Sequence, residues 1–194
     1  DKGWSDVLKQ MLNGSSFKTI KEQAADFSSL SEEAQNEIKS GNYDLIFLDL
    51  RMNGAQEEGK VRPADFSGMK ILKSIKELNK GTQVIMFTAS NKAWNMKALM
   101  DAGADGYYIK ESPEFAFSNS YSVSNANELS QCITRCLNNG YLRDVYIKVK
   151  QIKELISGSS LYGERTEEIL SSIDIAYDLL AKSDNRNEYR AYSY

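Results

Sequence analysis

The sequence predicts an α/β fold: a doubly wound parallel sheet with helices on both faces, followed by a C-terminal α-helical hairpin or bundle. Three observations carry this. Apolar runs of strand length recur at 43–50, 83–88 and 106–110. Segments of helical periodicity, about ten to fifteen residues each, alternate with them. Beyond Asn139-Gly140 the strand runs stop and only helical spacing remains. Continuous rather than alternating apolarity marks strands covered on both faces, which is the pattern of a parallel sheet.

Trp4, Val7, Leu8, Met11 and Leu12 share one helical face and predict a helix over 4–12. FKTIK at 17–21 predicts a short strand. SEEAQNEIK predicts a polar helix over 31–39 with Ser31 as its N-cap. The run Leu45-Ile46-Phe47-Leu48 predicts a strand core. Met69, Leu72, Ile75 and Leu78 place a helix over 68–79, and QVIMFT predicts a strand over 83–88. A helix over 91–102 ends at Gly103, a C′ glycine. GYYIK predicts a strand over 106–110, and 124–138 a further helix. Leu142, Val145, Val149, Ile152 and Ile156 then follow a bundle-like 3,4 spacing. After a loop at 157–163, Ile169, Ile173, Ala176 and Leu180 repeat it. Residues 184–194 read as the start of another helix. The division is therefore an α/β domain over 1–139 and a helical extension over 140–194.

Composition excludes several functions. The chain of 194 residues carries 24 basic and 27 acidic side chains, a net charge of -3, which does not suit coating nucleic acid. No DNA-binding motif is visible. No apolar run approaches the ~20 residues that span a bilayer, and no signal peptide is recognisable. Histidine is absent, which removes Ser-His-Asp and Cys-His catalysis and His-liganded metals. Cys132 and Cys136, four apart on a helix, lack zinc-site pairing and read as reduced thiols. The expected location is cytoplasmic.

Three polar residues stand where apolar strands end. Asp49 closes YDLIFL, Thr88 closes VIMF and Lys110 closes GYYI. In a parallel sheet the carboxyl ends of the strands share one crevice. There a carboxylate can attack phosphorus, a hydroxyl can bond a phosphoryl oxygen, and an ammonium can offset the added charge. Haloacid-dehalogenase-type phosphatases also use a strand-end aspartate, but need a second aspartate two residues on; here that residue is Arg51. A Rossmann-type site lacks its glycine fingerprint.

DLIFLDLRM around Asp49, VIMFTAS around Thr88, DAGADGYYIKESPE around Lys110 and SGMKILKSIK at Gly68 together resemble the receiver domain of two-component response regulators. The resemblance covers about residues 1–138. It implies a flavodoxin-like sheet of five parallel strands in the order 2-1-3-4-5. It makes Asp49 the phosphoacceptor, Thr88 and Tyr107 the switch pair, and Lys110 the cation that pairs with the phosphoryl group. Arg51 would offer its backbone carbonyl to Mg²⁺, with Asp49 as the other ligand, and Ala89 would leave access to the aspartate. The implied mechanism is Mg²⁺-dependent self-phosphorylation from the phosphohistidine of a sensor histidine kinase or phosphotransfer protein, rather than enzymatic turnover. The implied switch surface spans about 91–138. The extension over 141–194 would provide dimer or helical-partner contacts.

The sequence departs from the family in three places. The first strand and its two Mg²⁺-binding acids are expected upstream of residue 1. RMNGAQEEGKVRPADFS inserts about ten residues after Asp49, with Asn53 where proline is common, and reads as a solvated loop over 53–67. Lys110 is followed by Glu111 and Ser112 before Pro113. These departures keep open an alternative: a phosphorylation-independent pseudo-receiver acting as an interaction scaffold.

Overall fold

The structure is a computed structural model that describes residues 2–20, 27–52, 62–89, 93–110 and 119–183. Helix α1 (Lys2–Met11) and α2 (Phe27–Ser40) precede strand β1 (Leu45–Asp49). Helix α3 (Ser67–Glu77), β2 (Gln83–Thr88), α4 (Ala93–Asp101) and β3 (Gly106–Ile109) then alternate. Three long helices follow: α5 (Asn119–Asn138), α6 (Tyr141–Ser157) and α7 (Thr166–Ser183).

The three strands form one parallel sheet in the order β1-β2-β3. Leu45 pairs with Gln83 and Asp49 with Phe87; Ile85 pairs with Gly106 and Thr88 with Ile109. Every residue of β2 is buried, as its unbroken apolar run requires. One face of the sheet packs Leu48, Val84 and Met86 against Ile38 of α2, Met69 and Leu72 of α3 and Leu99 of α4. The other packs Ile85, Phe87 and Tyr108 against Leu8 of α1 and Leu129 and Ile133 of α5. The sheet is thus doubly wound. Asp105 fixes the start of β3: its carboxylate accepts from the Val84 amide at 2.5 Å and from Lys76 Nζ at 2.6 Å.

Helices α6 and α7 contact each other through the Tyr146–Tyr177 ring pair and the Lys153–Asp174 ion pair at 2.6 Å. They fasten to the end of the sheet where β2 begins. The buried Arg143 donates to Asp44 Oδ1 and to the Lys80 carbonyl, both at 3.3 Å. Tyr177 donates to the Asn79 carbonyl at 2.7 Å, and Asn79 donates to Asp178 at 3.1 Å. Gly81, at φ +69°, lets this turn touch α6: a Cβ there would lie 2.3 Å from the Arg143 nitrogen.

Among the described residues three strands form the sheet; one of the expected five, the first, is expected upstream of residue 1. Three expectations are corrected. Residues 17–20 belong to no strand, because no neighbouring strand among the described residues offers them a ladder. Helix α2 starts at Phe27, so Ser31 lies inside it rather than capping it. The end of the inserted stretch is core, not solvated loop: a 3-10 turn at Pro63–Asp65 delivers Phe66 and Ser67 into burial. Residues 53–61, Pro113 and 184–194 lie outside the described residues.

Burial, reinforced by Tyr146, pushes the Tyr177 phenol up from 10.0 to about 12. A raised folded-state value stabilises the fold below pH 10, and that contribution is lost as pH climbs towards 12. Tyr177→Phe is therefore expected to cost about 1 kcal/mol at neutral pH and to flatten the alkaline fall in stability. Urea unfolding of both proteins between neutral pH and pH 12 checks this.

Candidate functional site

Asp49 ends β1, and Lys110 follows β3 directly. These strands are not neighbours; β2 lies between them. Two strand spacings of about 4.8 Å each separate their backbones, so a long side chain must reach across β2. Lys110 does so: its Nζ lies 2.5 Å from Asp49 Oδ2. The lysine side chain is 14% exposed and the aspartate 37% exposed. The carboxylate is therefore open to a reactant on one side and held by a cation on the other. The lysine backbone is fixed as well, because its amide donates to the Thr88 carbonyl at 2.7 Å.

The other carboxylate oxygen, Asp49 Oδ1, accepts from the Arg51 amide at 3.2 Å. The Arg51 side chain is exposed and lays its guanidinium over the Phe66 ring, 4.7 Å from the centroid. The chain beyond Asp49 is tied down by Ser67, whose Oγ accepts from the Met52 amide at 2.8 Å, and by the Gly68 amide, which donates to the Leu50 carbonyl at 3.0 Å. Gly68 is required by space. A Cβ there would lie 2.1 Å from the Asp49 carbonyl oxygen.

Thr88 is 3% exposed at the end of β2. Strand alternation places it on the Met86 side of the sheet, one position beyond Phe87, the register partner of Asp49. Tyr107, registered with Met86, belongs to the same side and packs against its core cluster. Burial pushes the Tyr107 phenol above its ordinary value. The structure thus brings Asp49, Lys110 and the Arg51 amide together, and groups Thr88 with Tyr107 on the other face. Trp94 is 56% exposed on α4. Cys132 and Cys136 are buried free thiols on α5.

Three contributors escaped sequence reasoning. Phe87, whose ring centroid lies 5.5 Å from Lys110 Nζ, was hidden inside an apolar run. Ser67 and Phe66 sat at the end of a charged, loop-like stretch, and only the Ser-Gly pair opening α3 hinted at them.

Residues 1–119 match the response regulator receiver domain family. The chain belongs to this family. Proteins of the family act in two-component systems, where receiver domains meet histidine kinases or phosphotransfer proteins. Among curated proteins, this receiver chain is 36% identical over 69 residues to the nitrate/nitrite response regulator protein NarP of Escherichia coli. It is 33% identical over 87 residues to the transcriptional regulatory protein ResD of Bacillus subtilis. These matches cover 36% and 45% of this chain, and 27% and 31% of those relatives. Among solved structures, a signal receiver domain from Vibrio parahaemolyticus aligns with TM-score 0.50 at 21% identity, over 75% of this chain and 89% of that one. A CheY-like receiver domain from Methanospirillum hungatei aligns with TM-score 0.47 at 23% identity, over 73% and 90%. Among the described residues of this receiver, no helix is long and apolar enough to cross a membrane.

Receiver domains generally bind Mg²⁺ at the phosphorylation site. The donors here have the right chemistry, since Mg²⁺ takes hard oxygens and commonly only one or two carboxylates, the rest being water and phosphate. Asp49 Oδ1, which among the described residues accepts one long hydrogen bond, from the Arg51 amide, is the oxygen suited to it. Among the described residues no group of three or more acidic, Cys or His side chains gathers there.

The contact at Gly68 makes a sharp forecast. Gly68→Ala is expected to lose about 1–3 kcal/mol of stability through overpacking against the Asp49 backbone. Chemical denaturation measures it. Exposed Ala89, directly after Thr88, provides a control: Ala89→Ser is expected to change stability by less than about 0.5 kcal/mol.

Proposed function

We propose that this receiver domain accepts a phosphoryl group on Asp49 from a partner histidine kinase or phosphotransfer protein. The observation that carries the reading is the Asp49 carboxylate held 2.5 Å from Lys110 at the carboxyl edge of a parallel receiver sheet. A carboxylate oxygen of Asp49 attacks phosphorus as the P–N bond of a phosphohistidine breaks. The electron pair and a proton go to the departing imidazole, and Asp49 becomes an acyl phosphate. Lys110 then pairs with the phosphoryl oxygens and offsets their charge. When bound, Mg²⁺ neutralises charge on the transferring phosphoryl group, and Asp49 and the Arg51 carbonyl would hold it.

The output follows from the second face. Thr88 and Tyr107 share it, so a phosphoryl group that draws the Thr88 hydroxyl towards it alters the packing around Tyr107. The affected elements, α4, β3 and α5, lead through Asn139-Gly140 directly into α6. Helices α6 and α7 form the output arm, an α-hairpin. Its exposed Ile152, Leu155, Ile175 and Leu179 supply apolar surface for a helical partner or a second copy. The protein functions in the cytoplasm, where its kinase partners present their phosphohistidines.

Intact mass after incubation with Mg²⁺ and acetyl phosphate tests this. A labile phosphoryl adduct is expected on the wild type and none on Asp49→Asn. Lys110→Met is expected to accumulate the adduct about tenfold more slowly or worse. A folded wild type that takes up no phosphoryl group would overturn the reading in favour of a pseudo-receiver scaffold.

A further inference from the structure

We propose that Phe87 is a positioning residue: the face of its ring holds the Lys110 ammonium above β2, within reach of Asp49. The inference deepens the reading of Asp49 as phosphoacceptor, and rests on it only where phosphorylation is the readout.

Register places Phe87 beside Asp49 on one side and Tyr108 on the other. Registered neighbours in a parallel sheet share a face, so Phe87 is the middle-strand side chain beneath the path that Lys110 must cross. Lys110 Nζ lies 5.5 Å from the Phe87 ring centroid. That is inside the range where a cation is drawn to an aromatic face. An aliphatic side chain there would offer no such attraction. A polar one would compete for the ammonium or the carboxylate. The ring draws the cation while leaving its N–H groups to Asp49 and to an arriving phosphoryl group.

The ring itself is clamped. Phe87 is 4% exposed. Trp4 of α1 meets it edge-on at 4.9 Å, Phe47 meets it edge-on at 6.1 Å, and Tyr108 stacks on it at 5.1 Å with planes 18° apart. Four aromatic rings from α1 and all three strands therefore fix the surface on which the lysine rests. Arg51, the other cation beside Asp49, is engaged over Phe66 instead.

The test uses Phe87→Leu, which keeps apolar bulk without a π face, and Phe87→Tyr, which keeps the face. The first readout is the NMR position of the Lys110 methylene protons next to Nζ, which the ring current shifts upfield. The second is the rate of adduct formation from acetyl phosphate. Phe87→Leu is expected to return the Lys110 protons to the ordinary lysine position and to slow the adduct about two- to fivefold. Phe87→Tyr is expected to preserve both. Lys110 protons that stay put in folded Phe87→Leu, or that move equally in Phe87→Tyr, overturn the proposal. If Phe87→Leu does not fold, Phe87→Met carries the same comparison. A wild type that accepts no phosphoryl group sinks the Asp49 reading alone, because the Lys110 resonances still decide the role of Phe87.

Discussion

An ion pair that spans a strand depends on register. Asp49 and Lys110 meet only because β1 and β3 are both held to β2 in one register, β1 ending opposite Phe87 and β3 one step further, opposite Thr88. A one-residue slip of either strand would turn every side chain to the other face and part the two charges. Much of the core serves this constraint. Asp105 pins the start of β3, Gly68 lets α3 approach the backbone of Asp49, and the apolar layers on both faces leave β2 no water to compete for its ladder. The pair is partly buried, the lysine more deeply than the aspartate. Its value is placement: a carboxylate with one oxygen held by a cation and the other tethered by a backbone amide.

The two ends of the sheet are given different tasks. At the carboxyl ends, Asp49 and Lys110 meet across β2. At the opposite end, the turn 78–82 is filled: Gly81 admits the backbone of α6, Arg143 is buried against Asp44 and Lys80, and Tyr177 seals Asn79. The helical arm is thus anchored far from the chemistry while remaining continuous with α5, which packs on β2 and β3 beneath the site. Under the proposed function, a change at Asp49 that moves α5 would reach an arm already gripped at the sheet's other end, which would favour a small rigid displacement over release of a loose tether.

The strands and the acid–lysine pair were legible because buried parallel strands must be continuously apolar, and a polar residue ending such a run is conspicuous. Asp49, Thr88 and Lys110 are all of this kind. What escaped depends on contacts distant in sequence. Residues 17–20 have strand-like texture, but a strand exists only with a ladder partner, which texture cannot supply. Phe66 and Ser67 end a stretch of mixed charge, and only the fold shows that the chain dives there under Arg51. The fastening of α6 by Gly81 joins residues some sixty positions apart. Phe87 looked like one more apolar residue in QVIMFT, because what matters about it is the cation above its ring.

The most direct measurement of the central claim is a titration of the isotopically labelled chain with Mg²⁺ and beryllium fluoride, a phosphoryl mimic that binds a nucleophilic carboxylate. Amide resonances would report which residues respond. The account predicts saturable shifts centred on Asp49 and Lys110, extending to Thr88 and Tyr107 on the other face, and absent in Asp49→Asn. Shifts that persist in Asp49→Asn, or a folded protein whose resonances do not move at all, would contradict it.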